Sequence, residues 1–187
     1  MKKAIVLLAD GFEDVEAITP IDYLRRAGID VTIASISQSL TVTSRWGGIK
    51  VTADITLTEI FSKNEQTNLD AVILPGGMPG ASNLTASQEV RVLLNEIASA
   101  GKLICAICAS PAVILAPQGL LAGKRFTCYP GMEEKAADGI WLQDRVVVDG
   151  NIITSRGAGT AGEFAIAIIG KLLDEAAAKK IAEAVLL

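Results

Sequence analysis

Histidine is absent from the 187 residues of this chain. That single absence removes Ser-His-Asp and Cys-His catalysis and every histidine-based metal site. Any chemistry must run on Cys, Asp/Glu, Lys/Arg, Tyr and the backbone. Cysteine is scarce too. Cys105, Cys108 and Cys128 are too few for a disulfide framework, which points to a reducing, cytoplasmic setting. Three thiolates without a histidine also leave a structural zinc site short of ligands, so no metal is expected. Basic charge is not in excess: the net charge of −4 offers no footprint for nucleic acid or anionic lipid. No apolar run approaches the roughly 20 residues of a membrane span. The opening Met-Lys-Lys before Ala-Ile-Val-Leu-Leu-Ala resembles a signal peptide in outline only. Its apolar part is short, and Asp10, Glu13 and Asp14 follow where a cleavage site would lie, so it reads as a first strand. Internal repeats, linkers and low-complexity segments are also missing.

What is there describes a globular chain, 50% hydrophobic and 20% charged. Its length fits one domain over residues 1–187. Compact apolar runs at 3–9, 29–36, 70–74 and 102–107 read as buried strands. Between them lie helical segments at 13–26, closed by Gly28, at 55–64, and at 87–100, capped by Ser87. Residues 112–116 read as a helix after the fourth strand. Residues 37–53, around Gly47-Gly48, suggest a small hairpin. Shorter extended pieces follow at 125–129, 145–148 and 151–154, the last two joined by Asp149-Gly150, a two-residue hairpin signal. Helices at 161–173 and 174–187 end the chain. This alternation predicts an α/β fold: a doubly wound, mostly parallel sheet flanked by helices, with added short hairpins.

In such sheets the working crevice lies beyond the carboxyl ends of the strands. The loops after Leu8, Leu74 and Ile107 should therefore meet. The last carries Lys-Leu-Ile-Cys-Ala-Ile-Cys-Ala-Ser-Pro, residues 102–111, with Cys108 at a strand-to-helix turn. Backbone N–H groups and a helix dipole there favour a thiolate. The loop after Leu74, Pro-Gly-Gly-Met-Pro-Gly, can aim bare N–H groups at a ligand, or be a plain tight turn. From the first loop, Glu16 can turn toward the thiol. A carboxyl in a partly dry pocket beside a thiolate has a raised pKa and can donate a hydrogen bond or shuttle a proton. Glu13 and Asp14 read as solvated residues of a helix's first turn.

Two other patterns compete. Cys105 and Cys108 form a C-x-x-C, but Cys105 lies inside the strand run and is expected in the core rather than in a dithiol pair. Gly157 to Gly162 reads G-x-G-x-x-G, yet too few residues remain for a βαβ unit, so a turn before a helix explains it better. Arg156 beside it forms either the pocket rim or, the stronger expectation, a structural ion pair.

Together these residues resemble the ThiJ/PfpI superfamily, in the branch of the Parkinson-disease-associated protein deglycase and its bacterial relatives. The matching pieces are Gly11-Phe-Glu-Asp-Val-Glu16, Arg25-Arg-Ala-Gly28, Ser44-Arg45, Leu74-Pro-Gly-Gly77, Ala106-Ile-Cys-Ala109 with Pro111, and Thr154-Ser-Arg-Gly-Ala-Gly-Thr160. The resemblance implies a flavodoxin-like homodimer in which Cys108 is the reactive cysteine and Glu16 its carboxyl partner. It implies backbone donation from Gly77 and Ala109 to an oxyanion or oxidised sulfur, and an arginine, here Arg45, brought from the partner subunit. It implies cofactor-free conversion of methylglyoxal-like α-oxoaldehydes to hydroxy acids, repair of glycated adducts, oxidative-stress sensing and chaperone activity. The chain departs from the family at Tyr129, where many relatives carry histidine before the proline. A phenol donates a hydrogen bond but is a poor base at neutral pH. Ser110 also stands where relatives often carry Gly or Ala. Three functions follow as expectations: a glyoxalase or deglycase acting on a small carbonyl substrate through Cys108 and Glu16, a redox sensor or chaperone whose Cys108 is oxidised, or a non-catalytic member with a vestigial site.

Overall fold

The computed structural model describes residues 1–46 and 48–187. In chain order the elements are β1 (Lys3–Leu8), α1 (Asp14–Arg26), β2 (Asp30–Ser35), β3 (Thr41–Thr43), β4 (Lys50–Thr52), β5 (Ile55–Thr56), α2 (Leu57–Ser62), β6 (Ala71–Leu74), α3 (Gly80–Ala86) and α4 (Gln88–Ser99). There follow β7 (Leu103–Ile107), a π-helical segment (Pro111–Leu115), β8 (Arg125–Phe126), β9 (Ile140–Trp141), β10 (Val146–Asp149), β11 (Ile152–Ser155), α5 (Ala161–Leu172) and α6 (Glu175–Ala184).

Seven strands form the central sheet in the order β10-β11-β7-β6-β1-β2-β5. All neighbours pair in parallel except β10 with β11, the hairpin turned by Asp149-Gly150. The sheet is the expected α/β arrangement, and it is apolar on both faces because helices cover both. Strand periodicity sorts the core into two layers. Val6, Leu8, Ile73, Cys105 and Ile107 face α1, α5 and α6. Ile5, Leu7, Val72, Leu74, Ile104 and Ala106 face α3, α4 and the π-helical segment. Each such Leu or Ile contributes about 1.5–3 kcal/mol on burial, so a one-residue slip of β7 would cost several side chains at once.

α1 lays Glu16, Ala17, Pro20, Ile21 and Leu24 against the sheet, one stripe at helical spacing. Glu16 is therefore buried by its place on an apolar face. The predicted helix at 55–64 is split: Ile55 and Thr56 add an edge strand, and Thr56 caps α2 through a capping box with Glu59. The hairpin at 37–53 forms as β3 with β4, while Gly47 lies outside the described residues. α3 was not anticipated, because Pro79 and Gly80 mask its start. The helix at 112–116 is a five-residue π-helical segment with Pro at its first position, not a full α-helix. The extended piece at 125–129 pairs only at β8, with β9 as an unforeseen parallel partner.

Candidate active site

The carboxyl ends of β1, β6 and β7 bring their loops together as expected. β7 ends at Ile107 and the next residue, Cys108, adopts φ +64°, a left-handed turn that costs a side-chain-bearing residue about 1–2 kcal/mol. Neighbours hold it there. The Cys108 N–H donates to the Ser155 carbonyl at 2.9 Å, and the Tyr129 N–H donates to the Cys108 carbonyl at 2.8 Å. The buried Ser110 hydroxyl donates to the Pro75 carbonyl at 2.6 Å, tying the elbow to the glycine loop. Ser110 thus has a structural use for its hydroxyl.

Glu16 is 1% exposed, and its Oε2 accepts a 2.9 Å hydrogen bond from the Gly76 N–H. The same carboxyl and the N–H groups of Gly77 and Ala109 surround the Cys108 thiol closely enough to act on its charge. Gly76 has no freedom to be anything larger. A Cβ there would stand 2.6 Å from Glu16 Oε2 and 2.7 Å from Cys108 Cβ. Gly77 meets the sulfur with φ +87°, a conformation that favours glycine.

Burial pushes the Glu16 carboxyl up to about 7, against opposing hydrogen bonds from Cys108 and Gly76. Burial, then the Glu16 charge, pushes the Cys108 thiol up to about 12, against the Gly77 and Ala109 donors. The rise of Glu16 follows the expectation, whereas the elbow does not lower the thiol pKa. Two causes account for that. Burial disfavours the charged sulfur, and an ionised Glu16 repels a thiolate. Protonation of Glu16 reverses the second cause: a neutral carboxyl donates to the sulfur, beside two backbone donors. The pair therefore holds two protons below about 7 and one above it, with the remaining proton favouring the sulfur.

A cleft of about 490 Å³ opens over Cys108, lined also by Glu16, Gly77, Ala109, Arg45, Tyr129 and Trp46. Arg45 of this chain lines it. Its guanidinium stacks over the Trp46 ring, 4.4 Å from the centroid. Tyr129 is half exposed at the rim, so its backbone secures the elbow while its ring faces the cleft. Arg156 donates to the Gln143 carbonyl at 3.3 Å and, among the described residues, makes no ion pair and does not line the cleft. Neither expectation for Arg156 holds. Glu13 lines the cleft and Asp14 Oδ1 is buried without a partner, so neither is simply solvated. Gly157 donates to and accepts from Thr160 in the turn before α5, as expected of a turn rather than a nucleotide loop. Cys105 is fully buried in the core. No group of three or more metal-ligating side chains stands together among the described residues.

Three lining residues escaped the sequence reading: Trp46, Met78 and Met132. Trp46 carries a signal, an aromatic next to the matched Ser44-Arg45. The methionines carry none.

This chain matches the DJ-1/PfpI family over residues 2–171. It belongs to that family. It is 40% identical to the Drosophila melanogaster Protein dj-1beta over 188 residues, covering 99% of this chain and 97% of that one. It is 36% identical to the Caenorhabditis elegans Glutathione-independent glyoxalase DJR-1.2, covering 91% and 89%. It spans only 37% of the Arabidopsis thaliana Protein DJ-1 homolog B, with 42% identity over 89% of this chain. Among solved structures, oxidized Toxoplasma gondii DJ-1 superposes with a TM-score of 0.93 at 39% identity, covering 100% of this chain and 98% of that one. A cysteine-to-alanine variant of a DJ-1 superfamily protein from Salmonella typhimurium superposes equally well, with the same TM-score of 0.93, identity of 39% and coverages of 100% and 98%. The DJ-1/PfpI fold and the doubly wound sheet thus agree. No helix among the described residues is long and apolar enough to cross a membrane.

Proposed function

We propose that this chain is a cofactor-independent glyoxalase of the deglycase type, acting on methylglyoxal-like α-oxoaldehydes or their adducts. The observation that carries it is the buried Glu16 carboxyl, held by the Gly76 N–H, lining the same cleft as Cys108, Gly77 and Ala109. The Cys108 thiol adds across the aldehyde C=O to give a hemithioacetal: a C–S bond forms, and the proton passes to the carbonyl oxygen. Glu16 as carboxylate removes the hydrogen from that carbon, leaving an enediolate, and returns a proton to the neighbouring carbon. The product is a thioester of the 2-hydroxy acid. Water hydrolyses it, releasing the acid and the thiol, so the sum is dicarbonyl plus water to hydroxy acid. A carboxyl poised near 7 suits a group that must both take and give the proton. The C. elegans relative is named a glutathione-independent glyoxalase, which supports the same reading. Lactate formation from methylglyoxal by the purified protein is the test. Cys108→Ala and Glu16→Gln should each remove it, and lactate surviving either change would overturn the mechanism.

A second reading rests on the same sulfur. Peroxide would oxidise Cys108 to the sulfenate and then the sulfinate, each step transferring one oxygen and releasing water, with neutral Glu16 and two N–H groups as donors to the new oxygens. Intact mass after mild peroxide, with peptide mapping, checks it. Oxygen on Cys105 or Cys128 while Cys108 stays reduced would contradict it. A homodimer in the cytoplasm is part of the proposal, and exposed Val15, Ile18 and Ile49 favour the assembly. Light scattering at two concentrations checks the assembly.

A further inference from the structure

The cleft is far larger than a three-carbon dicarbonyl needs. About 490 Å³ falls in the range of roughly 300–1,000 Å³ that encloses drug-sized ligands. Its chemistry changes from floor to rim. The floor is polar: the sulfur, the Glu16 carboxyl and bare N–H groups. The rim is built from Trp46, Tyr129, Met78 and Met132, of which Trp46 is 61% exposed, Tyr129 52% and Met78 38%. Large apolar side chains left in water around a polar pit mark a ligand-binding groove.

Two features narrow the ligand. Arg45 covers one face of the Trp46 indole and so fixes the ring's orientation, while thioethers pack well on aromatic edges. Charge at the rim is balanced, since Glu13 and Arg45 both line the cleft and act on Glu16 in opposite directions. There is no net field to hold an ionic tail. A flat, neutral, apolar tail is the complement.

We propose that this rim is a subsite for a neutral aromatic tail, so that the preferred substrate is an aryl-substituted α-oxoaldehyde rather than its three-carbon analogue, with Trp46 and Tyr129 setting the specificity. The inference of substrate class rests on the glyoxalase reading. The chemistry is unchanged: the aryl glyoxal adds one water and becomes the aryl 2-hydroxy acid through the same hemithioacetal and thioester on Cys108. Tyr129 serves here through its ring face, a use in which a phenol is no worse than an imidazole.

The test has two arms. In the first, kcat/KM is measured for phenylglyoxal and methylglyoxal with the wild type, Trp46→Ala, Tyr129→Ala and Tyr129→Phe. The phenyl-to-methyl ratio should fall about tenfold in each alanine variant, mainly through KM for phenylglyoxal, and be restored in Tyr129→Phe, which keeps the ring. A ratio that does not move overturns the proposal. In the second arm, calorimetry compares mandelate with lactate, the two product acids, on Cys108→Ala. Mandelate should bind about tenfold tighter, and Trp46→Ala in that background should remove the difference. Equal binding overturns the proposal whether or not any glyoxal is consumed. Selective mandelate binding without turnover of either aldehyde would sustain the subsite and sink the glyoxalase reading.

Discussion

Cys105 and Cys108 lie three residues apart at the end of one strand, and burial raises both thiols, yet their polar surroundings differ. Cys105 keeps the strand's alternation, packs with Ile73 and Ile107, and has burial alone pushing its thiol up. Cys108 breaks the strand at φ +64°, and a carboxyl, two N–H groups and a cleft meet it. Chemistry at this sheet edge is a property of one backbone torsion. The residue type is the same.

The comparison breaks most visibly in activity. Cys108→Ala should lower methylglyoxal turnover by about 10³-fold or more. Cys105→Ala should retain it per folded molecule in the same lactate assay. Comparable losses in both would remove the distinction.

Next in size is a pH effect on stability. Glu16 titrates near 7 in the folded protein against 4.5 as a free carboxyl. Between those values the native state holds the extra proton, so the Glu16 contribution to stability is full below 4.5 and is lost as pH rises toward 7, by about 3 kcal/mol in all. Urea titrations at stepped pH read this slope directly. Glu16→Gln should flatten it, whereas Cys105→Ala should leave it in place.

The glycine loop offers a third contrast. Gly76→Ala would drive a methyl against Glu16 and Cys108 and should cost about 1–3 kcal/mol, with turnover reduced at least tenfold. Gly101→Ala, at φ +65° with open space around it, should cost about 1 kcal/mol and leave turnover alone. The smallest expected effect returns to Cys105. Cys105→Ser buries a hydroxyl where no partner waits, which should lower stability by about 1–2 kcal/mol in thermal unfolding without changing Cys108 labelling.

Much of this architecture is legible in the residues. Runs such as Ala-Ile-Val-Leu-Leu and Leu-Ile-Cys-Ala-Ile have no polar position to expose, so they belong between two helical layers. Asp149-Gly150 announces its hairpin. The convergence of Glu16, Gly76-Gly77 and Cys108 follows from strand order alone. What escaped reading has physical reasons. α3 starts on Pro-Gly, a pair that marks a turn by propensity and is overridden by packing on the π-helical segment. Arg156 has no carboxylate nearby in sequence, and in space its guanidinium meets the Gln143 carbonyl. The direction of the Cys108 pKa depends on burial and on the charge of a residue 92 positions away, neither of which a local pattern carries. The cleft rim is made of four side chains from three loops, and only Tyr129 and Trp46 beside Arg45 hint at it in sequence.

The central claim is that Cys108 and Glu16 titrate as a coupled pair whose first proton leaves near 7. The rate of Cys108 alkylation by iodoacetamide, followed from pH 5 to 10 in the wild type and in Glu16→Gln, tests it most directly. The wild type should show a step near 7, where the pair gives up its first proton. Glu16→Gln should lose that step and show one thiol transition instead, shifted below the wild type's upper value of about 12 because the repelling charge is gone. One profile common to both proteins would contradict the account.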